Sequence, residues 1–203
     1  TADTVTQKII YTNIKGKRET LRKLLDRETI SNAVIFCNRK RDIGILHRSL
    51  IKHGYDAVEL HGDLPQATRT ETLSKFKNGA FKLLVASDVA ARGLDIAGLS
   101  HVFNFDVPTN AEDYVHRIGR TGRAGKEGRA FTLALPDDEK YLQAIIKLTK
   151  KTIEVEPSLI QQDHDSDNMP YHPTEPKKAT HKKTTIDFKA EFPYSHKKNY
   201  IKI

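Results

Sequence analysis

Apolar positions along this chain follow two alternating rhythms. Short runs such as Val34-Ile35-Phe36-Cys37, Leu83-Leu84-Val85-Ala86 and Val102-Phe103-Asn104-Phe105 are bounded by polar stretches, as expected of strands buried on both faces. Between the runs, apolar residues recur at helical spacing: Leu21, Leu24 and Leu25, then Ile43, Leu46 and Leu50, then Ile145, Ile146 and Leu148. The spacing predicts strands over 5–11, 34–37, 57–60, 83–86, 102–105 and 130–135. It predicts helices over 15–28, 40–53 and 65–77, and a short helix opened by Asn110. A last helix runs from Asp137-Asp138-Glu139, acids suited to a positive helix start, to Lys151. Gly54 and Asn78-Gly79 stand where the second and third helices should stop.

Strands alternating with helices of this length give an α/β fold: a doubly wound, mostly parallel sheet with helices on both faces. Ligands in such sheets bind beyond the carboxyl ends of the strands. Asn38-Arg39-Lys40, His61-Gly62-Asp63, Ser87-Asp88 and Asp106 should therefore share one rim. The rhythm fails from about Pro157. We expect a folded domain over 1–155 and an extended basic tail of low order over 156–203, where paired lysines and scattered Phe188, Phe192, Tyr194 and Tyr200 suit either solubility or non-specific RNA contact.

Composition narrows the classes. A length of 203 residues with 37% hydrophobic and 30% charged content allows one good core, and a formal charge of +8 suggests a polyanionic partner. The lone cysteine, Cys37, excludes an internal disulfide or a cysteine-based zinc cluster and points to a reducing compartment. No metal site is expected from the spacing of the histidines. No apolar run approaches the ~20 residues of a membrane span, so no membrane partner is expected. The opening lacks Met and enters a strand pattern almost at once, which reads as a piece of a longer protein.

One stretch defies local energetics. His116-Arg117-Ile118-Gly119-Arg120-Thr121-Gly122-Arg123 sets arginines three residues apart beside glycines. Like charges stacked on a helix cost roughly 0.2–0.5 kcal/mol per pair, and each interior glycine about 1 kcal/mol relative to alanine. A polyphosphate would justify the arrangement, because guanidinium forks match phosphate oxygens and glycine lets backbone approach a ligand. A solvated basic loop is the bland alternative. Upstream, Ser87-Asp88-Val89-Ala90-Ala91-Arg92-Gly93-Leu94-Asp95-Ile96 puts Asp88, Arg92 and Asp95 among small residues after a strand, where a local ion pair is the plain reading.

Together, the segment from Ala91 to Ile96 and the arginine octamer resemble the second RecA-like domain of DEAD-box RNA helicases. Val34 to Asn38 resembles their motif IV, Gln66-Ala67-Thr68-Arg69 motif IVa, and Ala86-Ser87-Asp88 motif Va; the resemblance covers about 5–153. It implies a RecA-like fold. It implies that Arg120 and Arg123 act catalytically, reaching the ATP γ-phosphate across a cleft between two domains. Gly93 and Asp95 would join them in binding nucleotide, His116 and Arg117 would couple nucleotide occupancy to the interdomain contact, and Asn38, Arg69 and Ser87 would lie near the RNA backbone. Ser87 stands where the family more often has Thr, which keeps the hydroxyl.

The resemblance further implies ATP and Mg2+, bound mainly by an N-terminal RecA-like domain of the same protein, RNA as the partner, and a cytoplasmic monomer. No Gly-x-x-x-x-Gly-Lys-Ser/Thr loop and no Asp-Glu-Ala-Asp occur in the chain, so alone it should hydrolyse no ATP. Two other readings compete. One is a duplex-DNA translocase of the same fold, disfavoured by His116; the other is a non-catalytic RecA-like module for RNA or protein binding, disfavoured by Arg120, Arg123 and Asp95.

Overall fold

A computed structural model describes residues 4–91, 96–123 and 125–160. The chain divides into two compact units, Thr1–Gln161 and Gln162–Ile203, and all described residues belong to the first. The expected tail therefore lies almost wholly outside the described residues.

Strands β1 (Val5–Tyr11), β2 (Ala33–Phe36), β3 (Ala57–Leu60), β4 (Leu83–Ala86), β5 (His101–Asn104), β6 (Gly128–Ala134) and β7 (Glu154–Glu156) form one sheet. Its order is β3-β4-β2-β5-β6-β1-β7, and every pairing is parallel. The helices are α1 (Lys17–Arg27), α2 (Lys40–Lys52), α3 (Gln66–Lys77), a short α4 (Asp88–Ala91), α5 (Ala111–Ile118) and α6 (Glu139–Thr149), the last preceded by a single 3₁₀ turn at Pro136–Asp138.

Strand order and handedness decide which face each helix covers. The chain moves one way across the sheet from β1 through β2 to β3, then reverses from β3 through β7. Right-handed crossovers put helices of the first leg on one face and helices of the second leg on the other. The cores agree: Leu21, Leu24, Ile43, Leu46 and Leu50 of α1 and α2 pack with Ile35, Val85 and Phe103. On the opposite face Phe76, Tyr114, Ile118, Leu142 and Ile145 of α3, α5 and α6 pack with Val34, Leu84 and Val102. Central β2 and β4 are buried at every position, which is why their sequences are continuously apolar.

Local signals explain the helix ends. Asn110 caps α5 by accepting from the Glu112 amide at 3.0 Å. Gly54 follows α2 at φ +81°, the left-handed turn a glycine adopts without a Cβ penalty. Strand β7 escapes the hydrophobic pattern because it is three residues with one apolar side chain; Lys8 pairs with Glu154 at 3.7 Å and Arg27 with Glu156 at 3.0 Å, so ion pairs help to hold this edge. Pairing of β7 with β1 carries the ordered chain slightly past the expected boundary at 155.

The amino-terminal edge of the sheet holds a titratable group. His101 is 4% exposed and stacks on Phe103 and Phe131. The Ser100 hydroxyl donates to the Asn32 carbonyl at 2.6 Å, so it accepts from His101 Nδ1 at 2.9 Å. Nε2 then carries no proton and faces Glu28 Oε2 at 3.5 Å without a hydrogen bond. Burial holds the His101 pKa below the ordinary histidine value, outweighing the pull of Glu28. The folded chain thus binds fewer protons here than the unfolded one, and stability falls as pH drops below about 6.5, with a slope of at most about 1.4 kcal/mol per pH unit from this group. Urea unfolding between pH 5 and 7.5 should show this slope, and His101→Phe should flatten it; an equal slope in the variant would contradict the assignment.

Candidate nucleotide and nucleic-acid interface

The chemistry concentrates where β4, β2 and β5 lie side by side. Because the strands are parallel and in register, the residues that follow them emerge along one rim: Ser87-Asp88 after β4, Asn38 after β2 and Asp106 after β5. Arg117, in the last turn of α5, reaches this rim because helical side chains lean toward the helix N-terminus.

Arg117 is 1% exposed, and all five of its donor hydrogens are engaged. Nε donates to Asp88 Oδ1 at 2.7 Å and Nη2 to Asp88 Oδ2 at 2.6 Å, a bidentate pair. Nη2 also donates to Asn38 Oδ1 at 2.8 Å, while Nη1 donates to the Asp106 carbonyl at 2.8 Å and Asn104 Oδ1 at 3.4 Å. The guanidinium lies 5.1 Å from the Phe36 ring centroid. Asp106 extends the cluster, its Oδ2 accepting the Asn38 amide at 3.0 Å and its Oδ1 pairing at 2.6 Å with Lys17, itself 4.9 Å from the Phe105 ring centroid. One buried cation therefore ties together the ends of three adjacent strands.

These contacts change how several expected site residues are read. Arg117, expected to couple occupancy to a domain contact, has no donor left for a second domain, so any coupling through it runs by way of the rim. The Asn38 side chain is committed on both ends, its Nδ2 donating to the Val107 carbonyl at 2.8 Å. Ser87 is largely buried, and its hydroxyl accepts the Ala90 amide at 3.4 Å to cap the start of α4. Arg69 lies near the start of α3 with Nη1 on Gln66 Oε1 at 3.1 Å, and its Nε is buried with no partner.

The octamer does not form one helical face. Helix α5 ends at Ile118, Gly119 is its C-cap, and Arg120 and Arg123 sit in the following loop. The crossover from β5 to β6 must return the chain from carboxyl to amino ends of the strands, and this loop packs its backbone beside the entry to β5. The Leu99 amide donates to the Arg120 carbonyl at 3.1 Å, the Thr121 hydroxyl donates to the Leu99 carbonyl, and the Thr4 hydroxyl donates to the Gly122 carbonyl at 2.9 Å. Gly122 has φ +65°, and a Cβ there would lie 2.3 Å from Val5 Cγ2. Glycine is needed for both conformation and space.

On this stapled loop Arg120 Nη1 approaches the Ile96 carbonyl at 3.4 Å, and Arg123 Nε donates to the Gly119 carbonyl at 2.6 Å. Arg123 is exposed and makes no ion pair among the described residues. Arg120, exposed His116 and Arg117 line a cleft of about 130 Å³ with Phe36, Asp88 and Asp113. Gly93 and Asp95 lie outside the described residues. Among the described residues no group of three His, Cys, Asp or Glu side chains could hold a metal ion, and no helix is long and apolar enough to cross a membrane. Burial and the nearby Asp106 carboxylate push the Cys37 thiol far above its usual pKa, so it is no nucleophile.

Sequence reasoning put Asp88 and Asp106 on the rim but missed Asn104 and Lys17. The signal for Asn104 was present: it is the one polar residue in the run Val102-Phe103-Asn104-Phe105, and it is fully buried.

The model of the helicase conserved C-terminal domain matches residues 16–125. The ATP-dependent RNA helicase CshA of Listeria monocytogenes is 47% identical over 154 residues, covering 76% of this chain and 30% of that protein. The chain thus spans about a third of the length of the curated relatives it matches. Among solved structures, the C-terminal domain of the DEAD-box protein Dbp5 superposes with a TM-score of 0.73 at 32% identity, over 77% of this chain and 92% of that one. Saccharomyces cerevisiae Dbp5 bound to RNA and ADP BeF3 superposes with a TM-score of 0.72 at 32% identity, over 77% of this chain and 42% of that one.

Proposed function

Because the chain belongs to the helicase conserved C-terminal domain family, in its DEAD-box branch, we propose that it is the second lobe of an ATP-driven RNA helicase and supplies arginine fingers to a nucleotide held by another lobe. In this reading ATP and RNA close two RecA-like lobes of one polypeptide, the bound strand is bent so that neighbouring base pairs separate, and hydrolysis lets the lobes part. Arg120 and Arg123 neutralise charge growing on the transferring phosphoryl group, with Gly93 and Asp95 beside the nucleotide. Arg69 and Ser87 meet the RNA backbone, and Asn38, its side chain engaged within the domain, lies beside it as part of the rim, making binding largely independent of sequence and sensitive to salt. The protein works as a cytoplasmic monomer.

The observation that carries this reading is the division of labour around α5. Its last turn holds the rim through Arg117, and the loop that begins one residue after the helix presents Arg120 and Arg123. A rim and a finger loop joined by one short helix suit coupling between strand binding and phosphoryl transfer. Mg2+ would be held mainly with the triphosphate on the other lobe, where it would shield phosphate charge.

The test compares this chain with the full-length protein in RNA-stimulated ATP hydrolysis. Turnover is expected from the full-length protein and none from residues 1–203 alone. RNA-stimulated hydrolysis by the isolated chain would overturn the two-lobe account, and stimulation by duplex DNA in place of RNA would favour a translocase.

A further inference from the structure

We infer that Asn104 and Thr132 are positioning residues that set the Arg117 guanidinium, and so hold the RNA-facing rim in register with the arginine loop; this rests on the helicase reading above. Asn104 on β5 and Thr132 on β6 are cross-strand partners, both 0% exposed, on the sheet face that α5 covers. Neighbours on that face are apolar, among them Val102, Ala130 and Ala134. A core alone would be served there by valine, since a buried amide is costly unless its bonds are made.

The bonds are made, and they run in one direction. Arg117 Nη1 can only donate, so the Asn104 oxygen must face it, at 3.4 Å. The Asn104 Nδ2 then points to Thr132 Oγ1 at 3.0 Å. On the same face the buried Tyr114 hydroxyl donates to Gln7 Oε1 on β1 at 2.9 Å. Two sets of bonds therefore anchor α5 one turn apart: Arg117 through Asn104 and Thr132 on β5 and β6, and Tyr114 through Gln7 on β1. They fix the rotation of α5, and with it where the helix releases the chain into Arg120 and Arg123. Arg117 also explains why Asn104 cannot turn its amide over: the flipped amide would set two donors against each other there.

The test uses the full-length protein and reads the RNA concentration that half-saturates ATP hydrolysis, together with the melting temperature. Thr132→Val keeps the shape and removes the acceptor for Asn104; Asn104→Leu removes the acceptor for Arg117; Thr132→Ser keeps the hydroxyl. A rise of about tenfold in half-saturating RNA is expected for Thr132→Val and Asn104→Leu, the size typical of a coupling change along a packed network, with wild-type behaviour in Thr132→Ser. If Asn104→Leu fails to fold, the Thr132 pair decides. Unchanged RNA half-saturation in Thr132→Val, or equal impairment in Thr132→Ser, would overturn the inference even where melting temperature falls. Wild-type protein whose hydrolysis ignores RNA would instead overturn the helicase reading on which the inference rests.

Discussion

Arg123→Ala in the full-length protein is expected to abolish ATP turnover while leaving RNA affinity close to wild type. An arginine that meets the γ-phosphate only as charge develops there contributes about 10³–10⁵ in rate, and its loss is felt in the transition state far more than in the ground state. Arg123 suits this role because it is exposed, sits on a loop pinned to the entries of β1 and β5, and makes no ion pair among the described residues. The substitution removes one surface hydrogen bond, to the Gly119 carbonyl, so little stability should be lost. Steady-state ATPase measurements alongside RNA binding check this. Unchanged turnover would favour a RecA-like module kept for binding alone.

Arg117→Met has the opposite profile. It is expected to destabilise the domain by about 3–5 kcal/mol, the usual cost of removing one partner of a buried ion pair. Asp88 would lose a bidentate partner, and Asn38, Asn104 and the Asp106 carbonyl would each lose a donor. Domains are stable by only about 5–15 kcal/mol, so the variant stands near the edge of folding. Arg117→Lys should recover little, because three ammonium donors at one point cannot reproduce a planar fork of five. Urea unfolding of the domain checks both; a loss below about 1 kcal/mol for Arg117→Met would show that the cluster contributes mainly specificity and not stability.

The contrast between these two arginines marks where the sequence stopped being legible. The strand Leu83–Ala86 was readable to the residue, since a strand buried on both faces leaves a continuous apolar run. The rim was readable too, because parallel strands order their carboxyl ends. Three arginines at equal spacing, however, look alike in a sequence. Their fates diverge because α5 ends between the first and second, leaving Arg117 buried on a helix facing the sheet, Arg120 half-buried in the adjoining cleft and Arg123 exposed on the loop. Helix ends set by tertiary contacts, here the bonds of Thr121 and Arg120 to Leu99, carry only a weak local signal. The same holds for β7, whose pairing rests on ion pairs with Lys8 and Arg27. Asn104 needed another kind of reading: one polar side chain in a buried run is conspicuous only once the residue it orients is known.

The central claim is that Arg120 and Arg123 meet a nucleotide brought by another lobe. A crystal structure of the full-length protein with RNA and a non-hydrolysable ATP analogue tests it most directly. The account predicts guanidinium nitrogens of both arginines within hydrogen-bonding distance of the γ-phosphate oxygens, with Arg117 still clasping Asp88. A closed, RNA-bound complex in which the γ-phosphate is held without them, and both arginines face solvent, would contradict it.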